Sequence, residues 1–220
     1  MRHFDDIFAI AAERQGGHAA LDAKLSGPLP MEELFAIPDD RWLSTLTKCI
    51  FQAGFNWKVI EAKWDGFEMA FDQFDVGRCA FMDDEKFDAL LQDTRIVRNG
   101  TKIATVRENA ALLLELRQTE GVAQTLGGWP SDDYIGLLEM LKKRGSRLGG
   151  TTAQYAMRFS GRDSFILSRD VVARLIAENV IDKQPGSKKS MVQVQTAFNT
   201  WMDQSDRSLT EISRVLAMSV

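Results

Sequence analysis

Apolar side chains recur at three- and four-residue intervals along nearly the whole chain, and two-residue alternation is scarce. That period puts the apolar groups on one face of a helix, so helices must build the core. The longest such segment, 102–118, turns Ile103, Val106, Ala110, Leu113, Leu114 and Leu116 to one side. Before it, Leu43, Leu46, Cys49 and Ile50 mark the inward face of a helix running to about Ala53, with Asp39 or Asp40 as its cap. Gly16-Gly17, Pro28, Pro30, Pro38, Gly54 and the run Gly127-Gly128-Trp129-Pro130 interrupt the pattern. The spacing predicts further helices over 5–14, 18–25, 57–71, 83–93, 133–144, 151–159, 169–178, 190–204 and 208–217. Asn56 is read as the cap of the 57–71 helix. The expected architecture is all-α, without an internal repeat, as a single unit over residues 1–220 whose two helical lobes flank a cleft.

Composition excludes several function classes. Hydrophobic residues are 45% and charged residues 26%, which suffices for a packed core and argues against disorder. The longest apolar runs, such as 110–114, are too short to span a bilayer. The opening segment holds Asp5 and Asp6 and lacks a small-residue cleavage pattern, so a cytoplasmic location and no membrane partner are expected. Cys49 and Cys79 with His3 and His18 offer no ligand spacing, so neither a metal nor another cofactor is expected. The net charge of −4 argues against nonspecific coating of nucleic acid, which rests on phosphate neutralisation. A local basic face remains compatible with it.

Such a face lies in one stretch, residues 133–160, read as helix, glycine-rich turn, helix. Gly145, Gly149 and Gly150 permit a sharp turn, and Thr151 and Thr152 open the second helix. The free N–H groups of that helix start suit a phosphate. Lys142, Lys143, Arg144, Arg147, Arg158 and Arg162 surround it in an otherwise acidic chain. Docking on one DNA strand needs that combination, although an ordinary αα-hairpin with a solvated basic face has the same local pattern.

Beyond the hairpin the chain resembles the helix–hairpin–helix DNA glycosylases. Thr152-Ala153-Gln154-Tyr155, then a hydrophobic link ending at Asp170 near the next helix start, fall in the register of that superfamily. Gly149 keeps one hairpin glycine, and Arg147 stands where the first would be. The methyladenine glycosylase branch is resembled in three ordered stretches. These are Gln52-Ala-Gly-Phe-Asn-Trp57; Ile96-Val-Arg98 with Lys102-Ile103 and Asn109-Ala110; and Leu141-Lys-Lys-Arg-Gly145 with Gly150-Thr-Thr152. The chain departs from that branch at Cys49, where the family carries a recognition glutamate. It also lacks the family's zinc site, and Asp170 stands where a late zinc-binding histidine would be.

The resemblance implies a monofunctional base-excision enzyme that hydrolyses the N-glycosidic bond of alkylated purines such as 3-methyladenine. No lysine sits just before the second hairpin helix, the position where bifunctional members of the superfamily place their nucleophile. Double-stranded DNA containing damaged bases is then the partner, and a monomer is expected. Asp170 is the implied catalytic carboxylate; its alternative is an N-cap of the 169–178 helix. Trp57, Gln52, Cys49 and Phe55 would form the base pocket, with Trp57 as stacking face or simply a core residue. Glu61 and Asp93 are further carboxylates for that pocket. Arg147, Gly149, Gly150, Thr151, Thr152 and Lys143 would hold the DNA. A non-catalytic relative that binds damaged DNA and a helical scaffold without a DNA role are the alternatives.

Overall fold

The structure is a computed structural model describing residues 1–220, helical throughout and without a strand. Its chain contacts resolve into two compact units interleaved in sequence. One comprises residues 30–129 and 138–160, the other residues 1–29, 130–137 and 161–220.

The first unit is built on Asp39–Gln52, Gly100–Arg117 and Thr151–Phe159, with the 39–52 helix packed against both of the others. Trp42, Leu43, Phe51, Ile103, Val106, Leu113 and Met157 are all buried, as the apolar period requires. The Asp39–Gln52 helix is not capped by Asp39 or Asp40. Pro38 holds the cap position, and the two aspartates sit in the first turn, paired with Arg117 at 2.7 Å and Arg41 at 2.9 Å. Asn99 caps the long helix through Lys102 N, and Asn56 caps its own helix through Lys58 N at 3.0 Å.

The single helix expected over 57–71 is two helices, Trp57–Ala62 and Trp64–Ala70. Lys63 leaves helical geometry at φ −101° and ψ 0°, and its Nζ reaches the Thr94 carbonyl at 2.7 Å. After this break Trp64 lies stacked on Phe67 at 5.0 Å and on Phe74 at 5.6 Å. Aromatic packing outweighs helix continuity here. Two short helices, Val76–Ala80 and Val122–Gly127, fall where the periodicity gave nothing. Five or six residues span too little of the helical period to be read.

The second unit gathers Phe4–Gln15, His18–Asp22, Arg169–Ala177, Lys188–Ser205 and Leu209–Met218. Phe165 stacks on Phe198 at 4.5 Å, Tyr134 meets Phe165 edge-on, and Trp201 closes the cluster against Phe198. The last helix starts with a reciprocal Ser208–Glu211 capping box. Ser131–Asp133 is a short 3-10 turn, and the following helix begins at Tyr134. Arg162 belongs to this core: it is 1% exposed, with its guanidinium over the Tyr134 ring at 5.1 Å. It is therefore no part of a basic face, contrary to the reading of the sequence.

Candidate functional site

The hairpin lies between Tyr134–Arg144 and Thr151–Phe159, the second helix having the expected bounds. Its turn is held by Asn109, a fully buried side chain on the long helix. Asn109 Nδ2 donates to the Ser146 carbonyl at 3.1 Å, and its Oδ1 accepts from Ser146 N at 2.8 Å. In the residues alone Asn109 has no role beyond its place in a family pattern. Asn109→Ala leaves both Ser146 backbone groups without this partner. It is expected to lower stability by about 1–3 kcal/mol, read from the urea midpoint at unchanged m-value.

Arg147 holds φ +55°, the left-handed region, at the position where the family carries a glycine. The backbone there thus keeps a glycine-like conformation despite the larger residue. Gly150 has φ 59° and ψ −136°, a region open only to glycine, and it leads into Thr151 without a side-chain cap. Lys142, Lys143, Arg147, Gly150 and Thr151 are exposed; Gly149 and Thr152 are half-buried. Arg144 is exposed but paired with Glu115 at 3.0 Å. Among the expected DNA-binding residues, an uncapped helix start and exposed cations therefore share one turn.

Beside this turn, and within the same unit, lies a pocket of about 340 Å³. Cys49, Gln52, Phe55 and Trp57, the residues the resemblance implies for a base pocket, line it together with Thr151, Thr152 and Tyr155. Its volume suits a small ligand. Trp57 is 40% exposed and not a core residue; Tyr155 braces it edge-on at 5.1 Å. Trp42, by contrast, is fully buried core.

The pocket rim is a tight turn at the end of Asp39–Gln52. Ala53 at φ −60° and ψ 116°, then Gly54 at φ +71°, form a type II turn closed by Phe55 N to the Gln52 carbonyl at 3.0 Å. Lys102, 7% exposed, pins this turn from the long helix. Its Nζ donates to the carbonyls of Phe51 at 3.1 Å and Ala53 at 2.7 Å, and lies 5.7 Å from the Phe55 ring centre. Burial, and then the charge of Arg147, hold its ammonium below the usual lysine range. Lys102 is a contributor that sequence reasoning missed, because only tertiary packing brings it to the helix end fifty residues earlier.

Gln52 is 2% exposed; its Nε2 donates to Glu61 at 3.1 Å, and its buried Oε1 has no protein partner. Glu61 acts on the pocket through Gln52 and is not one of the lining residues, and Asp93 is engaged by Arg95 at 2.6 Å. Cys49 is 3% exposed, and burial pushes its thiol up to about 12, against a small opposing pull from Lys48. Cys79 is pushed up to about 12 by burial too. Neither thiol forms thiolate at neutral pH. A thiol reagent at pH 8 is expected to find no rapidly reacting cysteine in the native protein and both after denaturation.

Asp170 lies in the other unit, in the first turn of Arg169–Ala177. It does not cap that helix: Ser168 does, accepting from Val171 N at 3.3 Å. The Asp170 carboxylate is 45% exposed and meets only the side chain of its neighbour Arg169, at 3.2 Å. No cluster of His, Cys, Asp and Glu is arranged to hold a metal ion, so the residues present do not fit the zinc site of the resembled branch. No helix is long and apolar enough to cross a membrane.

Comparison with known proteins agrees with this geometry. The methyladenine glycosylase family model matches residues 36–128. DNA-3-methyladenine glycosylase 1 of Escherichia coli (strain K12) is 30% identical over 124 residues, 48% of this chain and 66% of that protein. The chain thus spans about two thirds of that relative. A crystal structure of 3-methyladenine DNA glycosylase I is similar at TM-score 0.50 and 25% identity, over 66% of this chain and 87% of that one. The Methanocaldococcus jannaschii 8-oxoguanine glycosylase/lyase, solved with a 15mer DNA containing 8-oxoguanine, is similar in fold at TM-score 0.55 and 14% identity. That match covers 96% of this chain and 95% of that one. The signature stretch contains most of the pocket, and the fold match runs almost end to end. Residues 36–128 carry the methyladenine glycosylase signature, and over nearly its whole length the chain has the fold of a helical DNA glycosylase.

Proposed function

We propose that this protein is a monofunctional DNA glycosylase that hydrolyses the N-glycosidic bond of alkylated purines such as 3-methyladenine in duplex DNA. The observation that carries the reading is the pocket itself. Trp57, with an exposed face, and Gln52, whose side-chain carbonyl is buried and unpartnered, line one small cavity and both lie in the methyladenine glycosylase signature. A target base leaves the stack to be read in such a pocket, and Trp57 supplies a π-face suited to a cationic alkylated purine. The exposed cations and uncapped helix start at the hairpin supply backbone contacts that orient the duplex.

In the proposed reaction the alkylated purine departs with the electron pair of its bond to C1′. It is already cationic and leaves neutral, so it needs little acid assistance. The Asp170 carboxylate stabilises the positive charge that develops on the sugar and orients the water that adds to C1′, whose proton passes to the carboxylate or solvent. The test is mass-spectrometric detection of free bases from methylated duplex DNA incubated with the protein. Release of 3-methyladenine or 7-methylguanine is the expected result; release of none sinks the enzyme reading. In that event a non-catalytic binder of damaged DNA is the alternative, which Cys49 in place of the family glutamate favours. Salt-dependent duplex binding without base release would support it, and absence of binding would leave a scaffold.

A further inference from the structure

Within the pocket, Gln52 is the side chain whose hydrogen bonding is half complete. Its amide is oriented by chemistry: Nε2 faces the Glu61 carboxylate at 3.1 Å, and a reversed amide would set two acceptors against each other. Glu61 is itself held from its other oxygen by Lys48 Nζ at 2.8 Å. The chain Lys48–Glu61–Gln52 therefore ends in one carbonyl, Oε1, buried and unpartnered on a pocket-lining residue. A buried acceptor without a partner is costly, and a donor brought by a ligand recovers that cost. The neighbouring Cys49 thiol is a weak donor and supplies no competing strong acceptor.

We infer that Glu61 is a positioning residue that sets the specificity of this pocket, holding Gln52 so that the base is read by an acceptor. Purines carrying an exocyclic amino group on the edge that meets Gln52 are then favoured over those carrying a carbonyl there. The inference rests on the base-excision reading for the identity of the ligand, and names the edge by which that ligand is chosen. Glu61 touches no base; it acts through the amide. Removing it frees the amide to rotate and present Nε2, so the preference falls while the pocket stays intact. A uniform loss of binding would not have this signature.

The probes are two free bases, 3-methyladenine with an amino group at the six position and 3-methylhypoxanthine with a carbonyl there and the ring proton that accompanies it. Their binding to the full chain is measured by titration calorimetry. Wild type is expected to prefer 3-methyladenine tenfold or more. Glu61→Ala is expected to bring the two within threefold, and Lys48→Met, which leaves Glu61 in place, to keep the preference. Adding Gln52→Glu to Glu61→Ala restores it, because a carboxylate only accepts. Equal binding of the two bases by wild type, no binding of either, or an undiminished preference in Glu61→Ala overturns the inference. Base release from methylated duplex by the wild type decides the glycosylase reading separately, so the two can fail independently.

Discussion

Replacement of Asp170 by asparagine is expected to cut the single-turnover rate of base release by about 10²-fold or more, with duplex binding retained. Asparagine keeps the shape but carries no charge to stabilise a cationic sugar and accepts a proton poorly. Three observables separate this from a structural effect. Stability should change by no more than about 1 kcal/mol, because Ser168 caps the helix and the lost interaction is that of a half-exposed carboxylate with the helix N-terminus. Affinity for duplex should be unchanged or higher, since one negative charge no longer opposes the phosphates. The salt dependence of binding should stay the same, as no phosphate-contacting cation is removed. Full activity in Asp170→Asn would remove Asp170 from the mechanism without touching the pocket assignment.

Glu178→Ala is expected to destabilise the protein by about 3–5 kcal/mol, the range for removing one member of a buried ion pair. The Glu178 side chain is 1% exposed and takes Arg2 at 2.8 Å and Arg174 at 3.3 Å, while Arg2 N donates to its second oxygen at 2.9 Å. Arg174, 9% exposed, also reaches Ser219 Oγ at 2.7 Å and the Ser219 carbonyl. Glu178, through Arg2, and Arg174, through Ser219, thus tie both chain ends to Arg169–Ala177, the helix that carries Asp170 in its first turn. Alanine leaves the Arg174 guanidinium buried without its counterion. The joint change Arg174→Met with Glu178→Leu removes both charges and is expected to cost far less than Glu178→Ala alone. Thermal and urea unfolding of the two variants measure this, and equal losses would contradict the ion-pair account.

Much of this was legible in the residues. The helical period marked the inward faces of 39–52 and 102–118 because a helix buries every third or fourth side chain. The Thr151–Phe159 helix was readable to the residue, since glycines precede it and its apolar spacing is regular. Cys49, Gln52, Phe55 and Trp57, implied by the family resemblance, line one cavity because a single helix end and its turn carry all four. Errors concentrated where local signals compete. Asp39, Asp40 and Asp170 are all plausible caps, yet Pro38 and Ser168 take those positions. Arg162 counts as a surface cation in any charge tally and lies buried over Tyr134.

The helical class, the hairpin and the family register are written in residues near one another in the chain. Packing between distant segments supplies what completes them. Lys102 reaching the Phe51 and Ala53 carbonyls, Asn109 clamping Ser146, and Glu178 joining Arg2 to Arg174 are contacts between residues far apart in sequence. Each of these groups is polar and mostly buried, so its position is dictated by the partner it must find and not by a period along the chain. No local pattern announces such a partner before the helices are packed.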